Sequence, residues 1–303
     1  MPKIADNITE LIGNTPLVEM PRLSPRPEIR FFAKLEGQNP SGSLKDRIAL
    51  YMIERAEKRG ELRPGKVILE ATSGNTGVSL AMIGRIKGYP VKVVMPDSVS
   101  IERTLVMRAF GAEVIHTEGA KYTDGAIERA NEMAAADDRC FLTCQFDNMD
   151  NPLAHYETTG PEILRDLPEV DAFIAGTGTG GTLAGVGRCL KERRPNVRVI
   201  CVEPQPGELI EGLHTLEGFA PGVYDEAVVD ERIVVSAAAA FAATRELAEQ
   251  EGLFAGASAG AVLQAARQAA EGCERGNFVL LMGDGGWKYL STGLWTSKHE
   301  QAK

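Results

Sequence analysis

The segment DAFIAGTGTGGT, from Asp171 to Thr182, joins a short apolar run to a cluster of glycines. The apolar run is typical of a strand buried on both faces of a parallel sheet. Gly176, Gly178 and Gly181 let the backbone turn sharply and bring its N–H groups to the start of a helix. Because N–H groups at a helix N-terminus bind anions, the segment predicts a strand–turn–helix unit with an anion site at its turn.

The same strand-then-helix alternation extends over almost the whole chain. Buried parallel strands are predicted at KVILEA, VKVVMP, AEVIHT, CFLTCQF, DAFIAG, VRVICVEP and NFVLLMG. The clearest predicted helices, each ending at or near a glycine, cover residues 44–59, 76–87, 101–110 and 237–250. This alternation predicts an α/β fold of the doubly wound type, with mainly parallel sheets.

Turn residues in DNMDNP, Asp147 to Pro152, indicate a boundary between two domains. A chain of 303 residues is long enough to bury two cores. We therefore predict an N-terminal α/β domain over residues 1–150 and a C-terminal α/β domain over residues 151–303. In this scheme residues 1–38 can pack on the C-terminal domain.

Composition argues against several classes of partner. The net charge of −9 and the lack of a basic run argue against nucleic-acid binding. The N-terminus lacks a long apolar core and no run of about 18 apolar residues occurs, so we expect a cytoplasmic protein with no membrane partner. The five cysteines form no Cys-x-x-Cys pair and the four histidines are scattered, so we expect no metal. Small metabolites are the expected partners.

The glycine turn after Asp171 has two interpretations. Gly176-x-Gly178-x-x-Gly181 follows a strand, and Glu203 lies 22 residues after Gly181 at the end of the next strand. This is formally a dinucleotide fingerprint, which would make the protein a nicotinamide-dependent oxidoreductase. A cup for a single phosphate group would show the same pattern. The turn alone leaves both interpretations open.

The segment NPSGSLKDR, Asn39 to Arg47, places a lysine where helix electrostatics favours an acid. Ser43 is the expected N-cap and Asp46 closes a Ser-x-x-Asp box, so Lys45 lies in the first turn, at the positive end of the helix dipole. This position disfavours the protonated amine and lowers its pKa toward the neutral, nucleophilic form that a Schiff base requires. A solvated surface lysine is the alternative.

Two further loops place polar groups at helix starts. TSGNTG, from Thr72 to Gly77, combines hydroxyls, an amide and backbone N–H groups, which suit a substrate carboxylate. GASAGA, from Gly256 to Ala261, presents Ser258. A helix cap is the structural alternative for each loop.

The segments NPSGSLKDR, TSGNTG, GTGTGGT and KYLSTG (Lys288 to Gly293), in this order, resemble the cysteine synthases, or O-acetylserine sulfhydrylases. These are pyridoxal-phosphate enzymes of fold type II, with the fold of the tryptophan synthase β subunit. The resemblance runs from IGNTPLV (Ile12 to Val18) to Gly293, and the GGWKYLSTG ending is most similar to the B-type branch.

The resemblance implies roles for individual residues. Lys45 would be the Schiff-base lysine, Asn75 the donor to the cofactor ring hydroxyl, and Ser258 the partner of the pyridine nitrogen. The cup for the cofactor phosphate would be Gly178, Thr179, Gly180, Gly181 and Thr182. The substrate α-carboxylate would be held by Thr72, Ser73, Thr76 and Gln145.

The implied activity is the conversion of O-acetyl-L-serine and sulfide to L-cysteine through an α-aminoacrylate, with Lys45 as the base at Cα. Relatives that use O-phosphoserine have a cation near the site, and the loop from Gly207 to Gly222 offers none besides His214, which favours O-acetylserine. Cystathionine β-synthase activity remains an alternative on the same fold. The family also implies a homodimer, whereas a complex with serine acetyltransferase is less expected for B-type members.

Overall fold

A computed structural model describes residues 4–72, 74–218 and 220–295. The strands in these ranges are β1 (Leu17–Glu19), β2 (Ile29–Leu35), β3 (Val67–Ala71), β4 (Val91–Pro96), β5 (Glu113–Thr117), β6 (Cys140–Leu142), β7 (Ala172–Gly176), β8 (Arg198–Pro204), β9 (Glu231–Val235) and β10 (Gly276–Met282). The α-helices are α1 (Lys45–Arg59), α2 (Asn75–Lys87), α3 (Ile101–Ala109), α4 (Tyr122–Ala136), α5 (Asp150–Ala154), α6 (Gly160–Asp166), α7 (Gly181–Arg193), α8 (Ala237–Glu251) and α9 (Ala257–Ala270). None of the helices in the described ranges is long and apolar enough to cross a bilayer.

The strands form two sheets. One has six strands in the order β1-β2-β10-β7-β8-β9, and the other has four in the order β5-β4-β3-β6. The pairing of β1 with β2 is antiparallel, and the other strand pairs in both sheets are parallel. The predicted α/β fold with mainly parallel sheets is confirmed.

Helices cover both faces of each sheet, so the strands are buried on two sides. In the six-stranded sheet, α8 and α9 pack on one face, and α6 and α7 pack on the other. In the four-stranded sheet, α1 and α2 cover one face, and α4 covers the other. This two-sided cover explains why the predicted strands are almost continuously apolar.

All seven strands predicted from apolar runs are present, and three further strands were missed. Strand β2 contains a buried charge, Lys34, and β9 alternates exposed and buried residues, so neither shows a long apolar run. The predicted strand CFLTCQF is shorter than expected, because β6 ends at Leu142 and Cys144 has a left-handed backbone with φ of 53°.

Strand β2 lies early in the chain but pairs with β10, at the other end of the sequence. The N-terminal strands β1 and β2 therefore belong to the six-stranded sheet, whereas β3 to β6 form the four-stranded sheet. The division into domains at residue 150 stays a prediction.

Candidate active site

Two adjoining cavities, of about 190 Å³ and about 40 Å³, open where the carboxyl ends of strands from both sheets meet. Open α/β sheets bind ligands at this edge. The larger cavity is lined by the predicted site residues Lys45, Thr72, Asn75, Thr76, Gln145, Gly178 and Thr179. The smaller cavity is lined by Lys45, Gly178, Thr179, Gly180, Thr182 and Ser258. Gly181 lines neither cavity, and Ser73 lies outside the described residues.

Lys45 is the first residue of α1 and lines both cavities. Burial lowers its pKa from 10.5 to about 8, and the carboxylate of Asp284 partly opposes this shift. The predicted direction of the pKa shift is therefore confirmed. The sequence had indicated the helix dipole as the cause of this shift, whereas the structure shows that the principal cause is the loss of hydration in the cleft.

The predicted cap of α1 is wrong. Asp46 accepts hydrogen bonds from the backbone N–H of Ser41, at 2.7 Å, and from the Ser41 hydroxyl, so it closes no box with Ser43. The N-cap position is Leu44, whose N–H donates to the carbonyl of Gly283 at 2.9 Å. The start of α1 is thus held by a segment distant in sequence, which a local capping pattern cannot reveal.

The TSGNTG loop and the segment after β6 meet in the larger cavity. The Thr76 hydroxyl donates to Oε1 of Gln145 at 2.7 Å, and the Thr72 hydroxyl accepts from the N–H of Gly74 at 3.0 Å. Below them, the buried carboxylate of Glu70 accepts from the N–H of Gln145 at 3.2 Å. Burial raises the pKa of Glu70 to about 7. Threonine hydroxyls, an amide and helix N–H groups here form a polar edge suited to a carboxylate.

The glycine turn after β7 opens α7 and forms the wall of the smaller cavity. Gly180 has φ of +82°, and a Cβ there would lie 2.8 Å from the Cβ of Tyr224, so glycine is required at this position. A Cβ on Gly181 would lie 2.1 Å from Oδ1 of Asn151, which allows α7 to approach that side chain closely. Gly181 therefore supports the turn from behind while its neighbours face the cavity.

Ser258 lies one residue inside α9 and lines the smaller cavity opposite the glycine turn. The helix N-cap is Gly256, so the capping alternative for Ser258 does not hold. A lysine, a glycine-rich turn at a helix N-terminus and a hydroxyl thus converge on one narrow space. This donor set fits a phosphorylated aldehyde cofactor such as pyridoxal phosphate.

The dinucleotide interpretation is not supported by the position of Glu203. Its Oε1 accepts from Nε of Arg232 at 2.6 Å, and its Oε2 accepts from the N–H of Leu216 at 2.7 Å. The side chain is buried and both carboxylate oxygens are engaged within the protein. Glu203 therefore holds the loop after β8 in place through Leu216. In a dinucleotide site the same carboxylate would have to be free to bind a ribose hydroxyl.

Sequence reasoning missed four charged residues beside the cleft. Arg103 on α3 and Glu211 in the loop after β8 both line the larger cavity and form an ion pair. Asp284 and Lys288 follow β10 and bond to the amide of Asn75. Asp284 lies in the glycine cluster GDGG, Gly283 to Gly286, and Lys288 opens KYLSTG, but only the folded chain shows which residues they contact.

Comparison with known proteins identifies relatives over almost the whole length. Residues 8–284 match the family of pyridoxal-phosphate-dependent enzymes. The chain is 43% identical to a probable cysteine synthase of Bacillus subtilis, covering 98% of this chain and 99% of the relative. It is also 43% identical to cysteine synthase B of Salmonella typhimurium, covering 97% of each chain.

A solved structure of cysteine synthase from Entamoeba histolytica has the same fold. It is 38% identical, covers 98% of this chain and 92% of its own, and superposes with a TM-score of 0.91. The protein therefore belongs to the pyridoxal-phosphate-dependent enzymes of fold type II and, within them, to the cysteine synthase family.

Proposed function

We propose that the protein makes L-cysteine from O-acetyl-L-serine and sulfide by β-replacement, with pyridoxal phosphate as its cofactor. The observation that carries this proposal is the convergence of Lys45, the glycine turn of α7 and Ser258 on one cavity, beside the TSGNTG loop. Each of these features occurs in many proteins. Together they provide separate groups for an aldehyde, a phosphate, a pyridine ring and an amino-acid carboxylate.

The cofactor would be held at three points. Backbone N–H groups of residues 178–182 would bind its phosphate at the N-terminus of α7, where the helix dipole favours an anion. Lys45 would bind its aldehyde carbon, and Ser258 would contact its pyridine nitrogen. A hydroxyl, unlike a carboxylate, does not keep that nitrogen protonated, which favours loss of the β substituent over transamination. When bound, the cofactor supplies the electron sink for the bond broken at Cα.

Lys45 is suited to move the Cα proton. Its pKa of about 8 lies close to neutral pH, which is the range in which a lysine can both accept and return a proton. Lys45 would hold the cofactor through this amine and, once freed from it, would be the base at Cα of the substrate.

The substrate carboxylate would bind at the edge formed by Thr72, Thr76 and Gln145, with Ser73 as a fourth expected contact. The hydrogen bond from Thr76 to Gln145 fixes the amide of Gln145 at this edge. Binding there would place Cα of the substrate near Lys45 and its β substituent toward the wider part of the cleft.

The charge of the wider part supports O-acetylserine as first substrate. Arg103 lines this cavity and could attract an anionic leaving group, but Glu211 neutralises it in an ion pair. Burial, and to a lesser extent the charge of Lys45, lower the pKa of His214, so this residue is neutral near pH 7. A neutral acetyl ester fits these surroundings better than a phosphate dianion. The similarity to cysteine synthases does not favour cystathionine synthesis.

The oligomeric state, the compartment and the protein partner of the enzyme are also proposed. A homodimer in the cytoplasm agrees with the relatives being cysteine synthases, and a complex with serine acetyltransferase remains the less expected partner.

The test is to load the purified protein with pyridoxal phosphate and supply O-acetylserine and sulfide. We expect cysteine to form and the visible absorption of the cofactor to change on adding O-acetylserine and return on adding sulfide. Turnover with O-phosphoserine and sulfide but not with O-acetylserine and sulfide would assign a different first substrate. Thioether formation from serine and homocysteine would do the same. A protein that binds no pyridoxal phosphate would contradict the proposal.

A further inference from the structure

The segment Gly283–Lys288 reaches the cleft through Gly283, which lines the smaller cavity, and through the charge of Asp284, which acts on the pKa of Lys45, but its side-chain contacts with Asn75 have no role in the chemistry described above. It leaves β10 and runs between the loops that precede α1 and α9. The carbonyl of Gly283 accepts from the N–H of Leu44 at 2.9 Å, and the N–H of Gly285 donates to the carbonyl of Gly42 at 3.1 Å. On its other side, the carbonyl of Asp284 accepts from the N–H of Gly256 at 3.1 Å. The segment therefore bonds to both loops that carry cofactor-facing residues.

Two side chains of this segment bind opposite ends of one amide. Nζ of Lys288 donates to Oδ1 of Asn75 at 2.8 Å, and Nδ2 of Asn75 donates to Oδ2 of Asp284 at 2.7 Å. An ammonium group offers only donors and a carboxylate only acceptors. The Asn75 amide can therefore satisfy both neighbours in one orientation and in neither after a flip.

Both charged groups are themselves held in place. Lys288 is fully buried, and its Nζ also donates to the carbonyl of Gly42 at 3.1 Å. Asp284 is 3% exposed, and its Oδ2 also accepts from the Tyr289 hydroxyl at 2.8 Å. Burying two charges is unfavourable unless each is well bonded, so their placement around a neutral amide calls for an explanation beyond simple packing.

We propose that Lys288 and Asp284 are positioning residues for Asn75, which fix its amide so that the second N–H of Nδ2 is directed to an oxygen of the bound cofactor. Among the described residues Nδ2 donates to Asp284 alone, which leaves its second N–H to donate elsewhere. This inference rests on the proposed function, in which Asn75 donates to the cofactor ring hydroxyl. It assigns the GDGG and KYLSTG motifs to the orientation of that one donor.

The experiment is a double-mutant cycle measured by the affinity of the apoprotein for pyridoxal phosphate. Lys288→Met keeps the length of the side chain and removes its donors, and Asn75→Ala removes the amide. We expect each single change to weaken binding about tenfold. Asn75→Ala removes the proposed hydrogen bond to the cofactor, and Lys288→Met removes the charged donor that orients the amide for that bond. In the double variant we expect the loss of Asn75→Ala alone, since Lys288 acts through that amide.

A second readout is the visible spectrum of the bound cofactor across pH. Lys288→Met and Asn75→Ala should shift the pH dependence of the absorption in the same direction, because Asn75→Ala removes the donor to the ring oxygen and Lys288→Met releases that donor from its fixed orientation. Lys288→Gln removes the charge but keeps an N–H donor for Oδ1 of Asn75, so it should leave this pH dependence nearly unchanged, and it keeps the test open where Lys288→Met does not fold. Losses of affinity that multiply in the double variant, or a spectrum that Lys288→Met leaves unchanged, would overturn the inference.

Lys34→Met is the matched control, because Lys34 is also fully buried but contacts Thr15 and Glu162 away from the cleft. It should lower thermal stability and leave the cofactor affinity of the folded protein unchanged. If the wild type binds pyridoxal phosphate but the affinity losses of the two single variants multiply in the double variant, this inference alone is refuted. A wild-type protein that binds none would refute the proposed function.

Discussion

Two groups of buried charged residues have neighbouring members on α1, but they differ in how well their charges are matched. The first, which we call the buried ion cluster, consists of Lys34, Glu36, Arg47 and Glu162. The second, the cleft cations, consists of Lys45 and Lys288. Arg47 and Lys45 are two residues apart on α1, yet they face these different surroundings.

In the buried ion cluster every charge has a direct partner. Arg47 donates to Glu36 and to Glu162, each at 2.7 Å, and Lys34 donates to Glu162 at 2.7 Å. Burial disfavours the charge of Arg47, but the two carboxylates outweigh it and raise its pKa further above its ordinary value. Arg47 is therefore held in its ionised form, which suits a purely structural role.

The cleft cations show the reverse behaviour. Burial lowers the pKa of Lys45 and of Lys288 to about 8, and the carboxylate of Asp284 opposes the shift only in part. A lysine with such a pKa exchanges protons near neutral pH, which the proposed role of Lys45 as a base requires, whereas Lys288 is proposed to act as a donor to Asn75. The comparison teaches that burial alone does not mark a functional charge, whereas burial with incomplete compensation does.

The largest expected effect is on turnover, from Lys45→Ala. Loss of the base and of the covalent attachment point should reduce the rate of cysteine formation by at least about a thousandfold. Thermal stability should be maintained, because the change removes a poorly compensated charge. The rate is measured with O-acetylserine and sulfide, and Lys92→Ala on β4 serves as the control, since Lys92 forms a surface ion pair with Glu113. Wild-type turnover in Lys45→Ala would remove Lys45 from the mechanism.

For the buried ion cluster, the large expected effect is on the stability of the fold. Arg47→Met leaves Glu36 and Glu162 buried without their shared cation, which should cost about 3–5 kcal/mol in the free energy of unfolding. Urea denaturation measures this loss. Arg188→Met, which breaks an exposed pair with Glu192, should cost less than about 1 kcal/mol. Equal losses in the two variants would erase the distinction between the cluster and a surface ion pair.

Acid should weaken the buried ion cluster through Glu162. Burial would raise the pKa of this carboxyl, but Arg47 and Lys34 outweigh it and lower the pKa from 4.5 to about 2. A carboxyl with a depressed pKa in the folded state stabilises the fold above its unfolded pKa and loses that contribution as the pH falls toward the folded value. The full contribution is about 3 kcal/mol, of which about half is lost by about pH 3.5.

The measurement is the free energy of unfolding at about pH 6 and about pH 3.5 for wild type and Glu162→Gln. The wild type should lose about 1–2 kcal/mol more than the variant over this interval, because glutamine does not titrate. Identical losses would show that Glu162 is not the group responsible.

Features of the fold that depend on local patterns could be predicted from the sequence. The apolar runs revealed seven strands, and the glycines after α1 and α2 marked the helix ends, because Gly60 and Gly88 adopt the left-handed backbone that ends these helices. Strand β2 was missed because Lys34 interrupts its apolar pattern, and the charge is paired by Glu162, which lies 128 positions away in the sequence. A one-dimensional pattern does not contain that partner.

The candidate site divides in the same way. Lys45, the glycine turn and Ser258 could be proposed because each lies at a helix start with recognisable chemistry. The capping box at Ser43 was wrong because Asp46 bonds to Ser41. The contacts of Asp284 and Lys288 were missed because their partner, Asn75 on α2, lies 209 and 213 positions away in the sequence. Sequence therefore identified groups that could react, and the structure was needed to find the groups that hold them.

The smallest expected effect concerns the pH at which the apoprotein captures pyridoxal phosphate. Only the neutral amine of Lys45 attacks the aldehyde, and a pKa of about 8 makes about one lysine in ten neutral at pH 7 and about nine in ten at pH 9. The capture rate, followed by the rise of visible absorption, should therefore increase about tenfold between these values and level off above pH 9. A rate that kept rising toward pH 10.5 would mean that Lys45 has an ordinary pKa, and the contrast between the cleft cations and the buried ion cluster would then rest on geometry alone.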